Sequence, residues 1–345
     1  SDIYTTSPVN YVRRASQLEN LAYLPQQSDR YDLASTPAQA STLFGLTMPD
    51  DAFIVREYKE HSGTINPAAI IAFLHRGTSL LGGRIAYDQR VTRLTRAGDG
   101  FELDVANYIT DQTQTLTVGK VVSAAGPYTG EVLKQVAPDF DRLIKPKRVY
   151  LAFFEVTPRF WNEMSQTEQQ RLKDLFPSIN STEPSRDEGS FSMIERYSDH
   201  GTPIIKIGGH FQRTDIQDLD SVWAESLNED EVAWARVSLL RHLSLLGVGL
   251  SNEHLRLVSG YSCVYSLTAS EVPYVTHAPK PDGSADPNLI VVAGLSGVGA
   301  KGSMAYGVMA TDLALGRSEP DSDYLAARDA FGFDRLKRDT LALED

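Results

Sequence analysis

The stretch VVAGLSGVGAKGSMAYG, Val291–Gly307, follows an apolar run and leads into a segment with helical periodicity. Inside it Gly297, Gly299 and Gly302 stand in the spacing G-x-G-x-x-G. That spacing marks a dinucleotide-binding loop when it opens a strand–helix–strand unit of about 30 residues whose second strand ends in an acidic residue. The residues after Gly302 keep a helical pattern instead, so this unit is not expected here. A nucleoside-triphosphate loop is excluded as well, because Ala300 stands where its second glycine belongs and Gly302 where its hydroxyl belongs. There remains a strand, a glycine-rich turn and a helix start. Its backbone N–H groups make an electropositive nest for a flat, electron-rich ligand.

Working outward, KVVSAAG at 120–126 is a second short apolar strand that runs into glycine. Before it, VTRLTR at 91–96 and FELDV at 101–105 alternate as a hairpin around Gly98 and Gly100, and Arg84–Tyr87 is predicted as a strand. A helix is predicted from a cap at Thr64 or Asn66, with Pro67 in its first turn and Ile70, Ile71, Leu74 and Leu81 on its apolar face, ending at Gly82. Strands are predicted at 145–156, 190–197 and 202–211, and a helix over 227–246 with a stripe through Val232, Val237, Leu240 and Leu243. The middle of the chain therefore reads as α+β and mostly antiparallel. Residues 277–288 are predicted as a surface loop and 322–345 as amphipathic helix, while residues 1–60 show no clear alternation and read as a connecting region.

With 345 residues, 41% hydrophobic and 23% charged, the chain has the composition of a soluble globular protein large enough for one or two domains. A formal charge of −12 argues against nucleic acid or an anionic membrane as the main partner. No stretch approaches the roughly 20 apolar residues of a membrane span. The single cysteine, Cys263, excludes an intramolecular disulfide framework, and its plainest role is that of a small buried hydrophobe. No metal site is expected.

Taken together, KVVSAAGPYTGEVL, IKPKRVYLAFF, SGTINPAAIIAFL and GLSGVGAKGSMAYG resemble the family of D-amino-acid oxidase, glycine oxidase and sarcosine oxidase. The pattern is most similar to monomeric sarcosine oxidase. The resemblance implies a D-amino-acid oxidase-like fold, α/β plus α+β, in which a Rossmann-like FAD-binding domain is joined to an antiparallel-sheet substrate domain. On that basis residues 1–60 connect and join the substrate domain, 61–142 and 277–345 build the FAD domain, and 143–276 form the substrate domain.

The resemblance further implies site residues. In GLSGVGAKG, the loop Gly294, Ser296, Gly297, Val298 and Gly299 passes the flavin edge, and Lys301 binds a substrate carboxylate. In IKIGGH, Lys206 lies against the flavin for oxygen activation, with His210 nearby. In SCVYS, Cys263 is the residue for a covalent flavin tether and Tyr265 an active-site wall, while Ala125 and Gly126, with Val91, approach the ADP portion. The implied reaction is oxidation of the C–N bond of an amino acid or secondary amine by hydride transfer to flavin N5, with O2 giving H2O2.

One departure stands out: the family opens with a βαβ unit carrying its own glycine fingerprint, and residues 1–60 contain none. A second polypeptide, either a separate subunit or the other half of a cleaved precursor, is therefore expected to supply that unit. Two alternatives follow: a dehydrogenase that passes electrons to a quinone or partner protein, and a non-catalytic subunit of a flavoprotein complex.

Overall fold

The computed structural model describes residues 3–21, 29–175, 178–181, 189–216, 218–222, 226–247, 249–318 and 321–343. In chain order the strands are β1 (Tyr4–Thr6), β2 (Val9–Arg14), β3 (Tyr31–Ala34), β4 (Ala52–Glu57), β5 (Gly63–Ile65), β6 (Gln89–Ala97), β7 (Gly100–Asn107), β8 (Thr113–Val118), β9 (Val121–Ser123), β10 (Lys145–Val156), β11 (Ile179–Ser181), β12 (Ser190–Tyr197), β13 (Pro203–Gly209), β14 (Leu255–Leu267), β15 (Tyr274–Pro279) and β16 (Ala285–Ala293). The helices are α1 (Pro37–Phe44), α2 (Pro67–Leu80), α3 (Thr129–Leu133), α4 (Phe140–Leu143), α5 (Pro158–Glu163), α6 (Gln166–Leu175), α7 (Glu229–Ser244), α8 (Gly299–Leu315), α9 (Ser322–Phe331) and α10 (Phe333–Leu341). The chain divides into two compact units, one of residues 1–66, 148–214 and 220–263, the other of 67–147, 215–219 and 264–345.

The first unit is built on an eight-stranded sheet in the order β14-β10-β13-β12-β11-β2-β4-β3. The β10–β13, β13–β12, β12–β11, β2–β4 and β4–β3 pairs are antiparallel, and β11–β2 is parallel. Alternation along β10 and β13 sends Tyr150, Ala152, Phe154, Ile205 and Ile207 to one face, where Ala235, Leu239 and Leu243 of α7 complete the core. The opposite face carries Leu151, Phe153 and Lys206. At its start α7 is closed by a capping box, in which Asn228 Oδ1 accepts from the Glu231 amide at 2.8 Å and Glu231 Oε2 accepts from the Asn228 amide at 2.9 Å.

The second unit holds a three-stranded sheet, β15-β16-β9, with β16 and β9 parallel, and the antiparallel meander β6-β7-β8. Val275 and Ile290 pack against Met309, Ala310 and Leu313 of α8, and Tyr274, Leu289 and Val291 pack against Leu133, Phe140 and Leu336. A helix is thus present on each face, as a parallel pair requires.

Four expectations are corrected. Residues 1–60 are more than a connecting region: β2, β3 and β4 extend the large sheet, pairing that short strands separated by polar segments do not advertise. Arg84–Tyr87 is not a strand, since it has no ladder partner among the described residues. The 277–288 segment is mostly a hairpin between β15 and β16, with only 280–284 outside the strands. The stripe of α7 runs through Ala235, Ser238, Leu239, His242 and Leu243, leaving Val237 exposed, because five residues beyond Val232 a side chain has rotated well past the buried face. Glu344 and Asp345 of the predicted terminal helix lie outside the described residues.

Candidate functional site

In the second unit, the parallel register Val291↔Ser123 brings the ends of β16 and β9 to one edge, so the turns at Ala125–Gly126 and Gly294–Gly299 emerge together. Ligands of open α/β sheets bind at such carboxyl edges. Gly294 (φ +67°) and Gly297 (φ +80°) are left-handed, as is the non-glycine Ser296 (φ +46°). Ser296 is buried and held there: its amide donates to Ser266 O at 3.0 Å and its hydroxyl to Gly294 O at 2.9 Å. A Cβ on Gly297 would lie 2.7 Å from the Tyr265 ring, so only glycine lets the loop pack on that tyrosine. The loop then opens α8 at Gly299, with Val298 as N-cap and no side chain capping the helix. Lys301 is exposed in the first turn.

Around Gly126 the hairpin joins in. Arg90, beside Val91, donates to Glu131 Oε1 at 2.7 Å and lies 5.7 Å from the Tyr128 ring centroid. The Ser123 hydroxyl, at the end of β9, is buried and has no hydrogen-bond partner among the described residues. A buried hydroxyl left unpaired beside two glycine turns and an uncapped helix start has the donor chemistry that a large anionic, planar cofactor uses.

In the first unit, Lys206 stands on the sheet face away from α7, between Phe153 of β10 and Met193 of β12. Its Nζ lies 2.6 Å from Glu195 Oε2. A bulge between Ile194 and Arg196 brings Arg196 opposite Ile204, the same face as Lys206, and the Arg196 guanidinium sits 6.0 Å from the Phe153 ring centroid. Tyr261 of β14, 49% exposed, stacks on Phe153 at 5.9 Å. Cys263 follows two residues on and is half-buried. Burial pushes its thiol up to about 11, only partly offset by the Arg148 guanidinium, so the thiolate is scarce near neutral pH. His210 lies just past β13, its amide donating to Gly189 O at 2.9 Å.

Ala125, Gly126 and Gly294–Gly299 thus meet at one sheet edge, with Tyr265 against Gly297 and Val91 on the neighbouring hairpin. Lys206, His210 and Cys263 belong to the other unit. Glu195, Arg196, Tyr261, Arg90 and Ser123 escaped the sequence reading. The charged run IERY was the available signal, but an extra residue in a strand changes which side chains share a face, and no local pattern announces it. Among the described residues no group of His, Cys, Asp or Glu could hold a metal, and no helix is long and apolar enough to cross a membrane.

The profile of the FAD dependent oxidoreductase family matches residues 7–313, and the chain belongs to that family. FAD is its cofactor, and the glycine turns and open amides of the second unit fit it. The chain is similar in fold to NikD, described as an unusual amino acid oxidase essential for nikkomycin biosynthesis, at 16% identity and TM-score 0.65, covering 96% of this chain and 77% of that one. It is similar to the L-proline dehydrogenase of P. horikoshii at 13% identity and TM-score 0.66, covering 97% and 78%. The glycine oxidase of Geobacillus kaustophilus matches at 13% identity and TM-score 0.61, over 93% and 75%. No curated protein matches the sequence.

Proposed function

We propose that the chain oxidises the C–N bond of an amino acid or secondary amine. The observation that carries this reading is the left-handed glycine turn leading into the uncapped start of α8, inside a chain of the FAD dependent oxidoreductase family. NikD and glycine oxidase, which share the fold, are named for amino-acid oxidation. When bound, FAD supplies a two-electron acceptor for the amine carbon, leaving an imine that water hydrolyses, and O2 takes the electrons on as H2O2.

The roles of the residues follow from their chemistry. Amides of Gly297, Gly299, Ala300 and Lys301 donate to negative charge at the edge of the cofactor. Ala125, Gly126 and Val91 line the approach of its ADP portion, and Ser123 gives it a hydroxyl. A cation on the sheet face away from α7, Lys206, stabilises charge developing on oxygen, and Lys301 pairs with a substrate carboxylate. His210 is a further catalytic candidate of the first unit, Tyr265 an active-site wall of the second, and Cys263 is the residue open to a covalent flavin bond.

The test is the intact mass of the denatured protein together with its absorbance before and after acid precipitation. One FAD mass added to the chain assigns the Cys263 tether. Flavin released to the supernatant assigns non-covalent FAD, the outcome favoured by the protonated thiol. Absence of flavin from the native assembly sinks the proposal and leaves a non-catalytic subunit.

A second polypeptide supplying a dinucleotide-binding unit is part of the proposal. It is supported by α2, which buries no residue although Ile71 is 52% and Phe73 59% exposed, and by the edge strand β9, where Val122 is 48% exposed. Stoichiometric FAD binding by a monodisperse preparation of this chain alone would remove that need. The Glu195 counter-charge on Lys206 favours a second reading, a dehydrogenase with a quinone or protein acceptor. Lys206→Met separates the two: an oxidase loses most of its peroxide formation while dye-linked turnover persists.

A further inference from the structure

We infer that Glu195 is a positioning residue for Lys206: it holds the ammonium in one place on the sheet face away from α7 and offsets its charge there. Taking Lys206 as the group that faces oxygen, as proposed above, Glu195 then restrains how strongly the chain reacts with oxygen.

The geometry is specific. The 2.6 Å contact joins neighbouring strands, and both partners are partly shielded, Lys206 at 21% side-chain exposure and Glu195 at 37%. Residue 195 is the extra residue of the bulge, the one position in this part of β12 without a ladder partner in β13. Its backbone is therefore free of the register, and its carboxylate reaches toward Lys206 while Arg196 turns to Phe153. The other groups on this face are Tyr261 and Cys263, and Glu195 helps hold the Tyr261 phenol above its ordinary range, after the larger effect of burial and that of Cys263. The carboxylate thus acts on both the Tyr261 ring and the Lys206 cation.

An ammonium paired at this distance presents a nearly neutral dipole, whereas an unpaired one presents a full charge whose effect falls off far more slowly. Removing the carboxylate's charge while keeping an acceptor oxygen should therefore release the field of Lys206 without losing its position. Glu195→Gln does this, and Glu195→Asp keeps the charge.

The experiment measures how fast an amine-acetylating reagent modifies Lys206, mapped by peptide mass on the folded, purified protein. It is paired with stopped-flow reoxidation of the reduced flavin by O2. In E195Q, Lys206 is expected to be acetylated about fivefold faster, the upper end for a partly exposed pair, and reoxidation to accelerate by a similar factor. In E195D both rates return toward wild type. Unchanged acetylation of Lys206 in E195Q, or equal acceleration in E195D, overturns the role assigned to Glu195. Reoxidation unaffected by Lys206→Met is a different failure: it removes Lys206 from the oxygen step, while the acetylation rates still decide whether Glu195 holds it.

Discussion

Helices α7 and α8 have similar lengths, 16 and 17 residues, yet begin in opposite ways. The start of α7 is closed: Asn228 and Glu231 satisfy each other's amides, and Glu231 also takes both Arg148 Nε at 2.8 Å and an Arg148 Nη at 3.1 Å. The start of α8 has a glycine turn and no side-chain cap. First-turn amides not bonded within the helix must find partners, and when the protein provides none, a ligand can. On the proposed function, the closed start belongs to a scaffold helix, and the open start, which follows a glycine turn, is the one offered to the cofactor.

The largest test concerns the end of α7. His242 is fully buried between Ser190 Oγ, 3.0 Å from Nε2, and Ser192 Oγ, 2.5 Å from Nδ1. Burial, then the nearby Arg241, lowers its pKa to about 3. The unfolded chain takes up this proton near pH 6.5 and the folded chain does not, so the stabilisation is complete above that pH and lost as the pH falls. Unfolding titrations should show stability dropping by roughly 1.4 kcal/mol per pH unit between about pH 6 and 3, beyond what other groups contribute. His242→Gln, which keeps two polar ends for the serines, should flatten that slope; an unchanged slope would mean the histidine is not a neutral scaffold group.

Next in size is Gly297→Ala. Its φ of +80° and the Tyr265 ring 2.7 Å from the added carbon should cost about 1–3 kcal/mol and expel the flavin, read as lost absorbance at unchanged secondary structure. Full flavin retention would break the contrast between the two helices. The smallest effect is Asn228→Ala, expected to cost about 1 kcal/mol in urea unfolding with flavin content unaltered. Flavin loss there would show that the closed helix, too, serves the cofactor.

Much of this was legible locally. The helix within 227–246, the hairpin around Gly98 and Gly100, and the strand–glycine–helix order at Val291–Gly307 all appear where the sequence places them, because each depends on interactions within a few residues. The site was legible only in part. Gly297 and Lys206 stand in motifs, whereas Ser123, Glu195 and Arg196 had no motif to carry them.

By itself the sequence determined the glycine turn, the helix it opens, the antiparallel middle and the family resemblance, since backbone sterics and short-range hydrogen bonds are written in adjacent residues. Only the tertiary structure decided that residues 1–60 extend a sheet most of whose other strands lie more than a hundred residues away, that the turns after β9 and β16 share an edge, and that a bulge sets Glu195 beside Lys206. Those outcomes depend on which strands pair and in what register. Pairing is settled by burial over the whole sheet, so no short stretch can encode it alone.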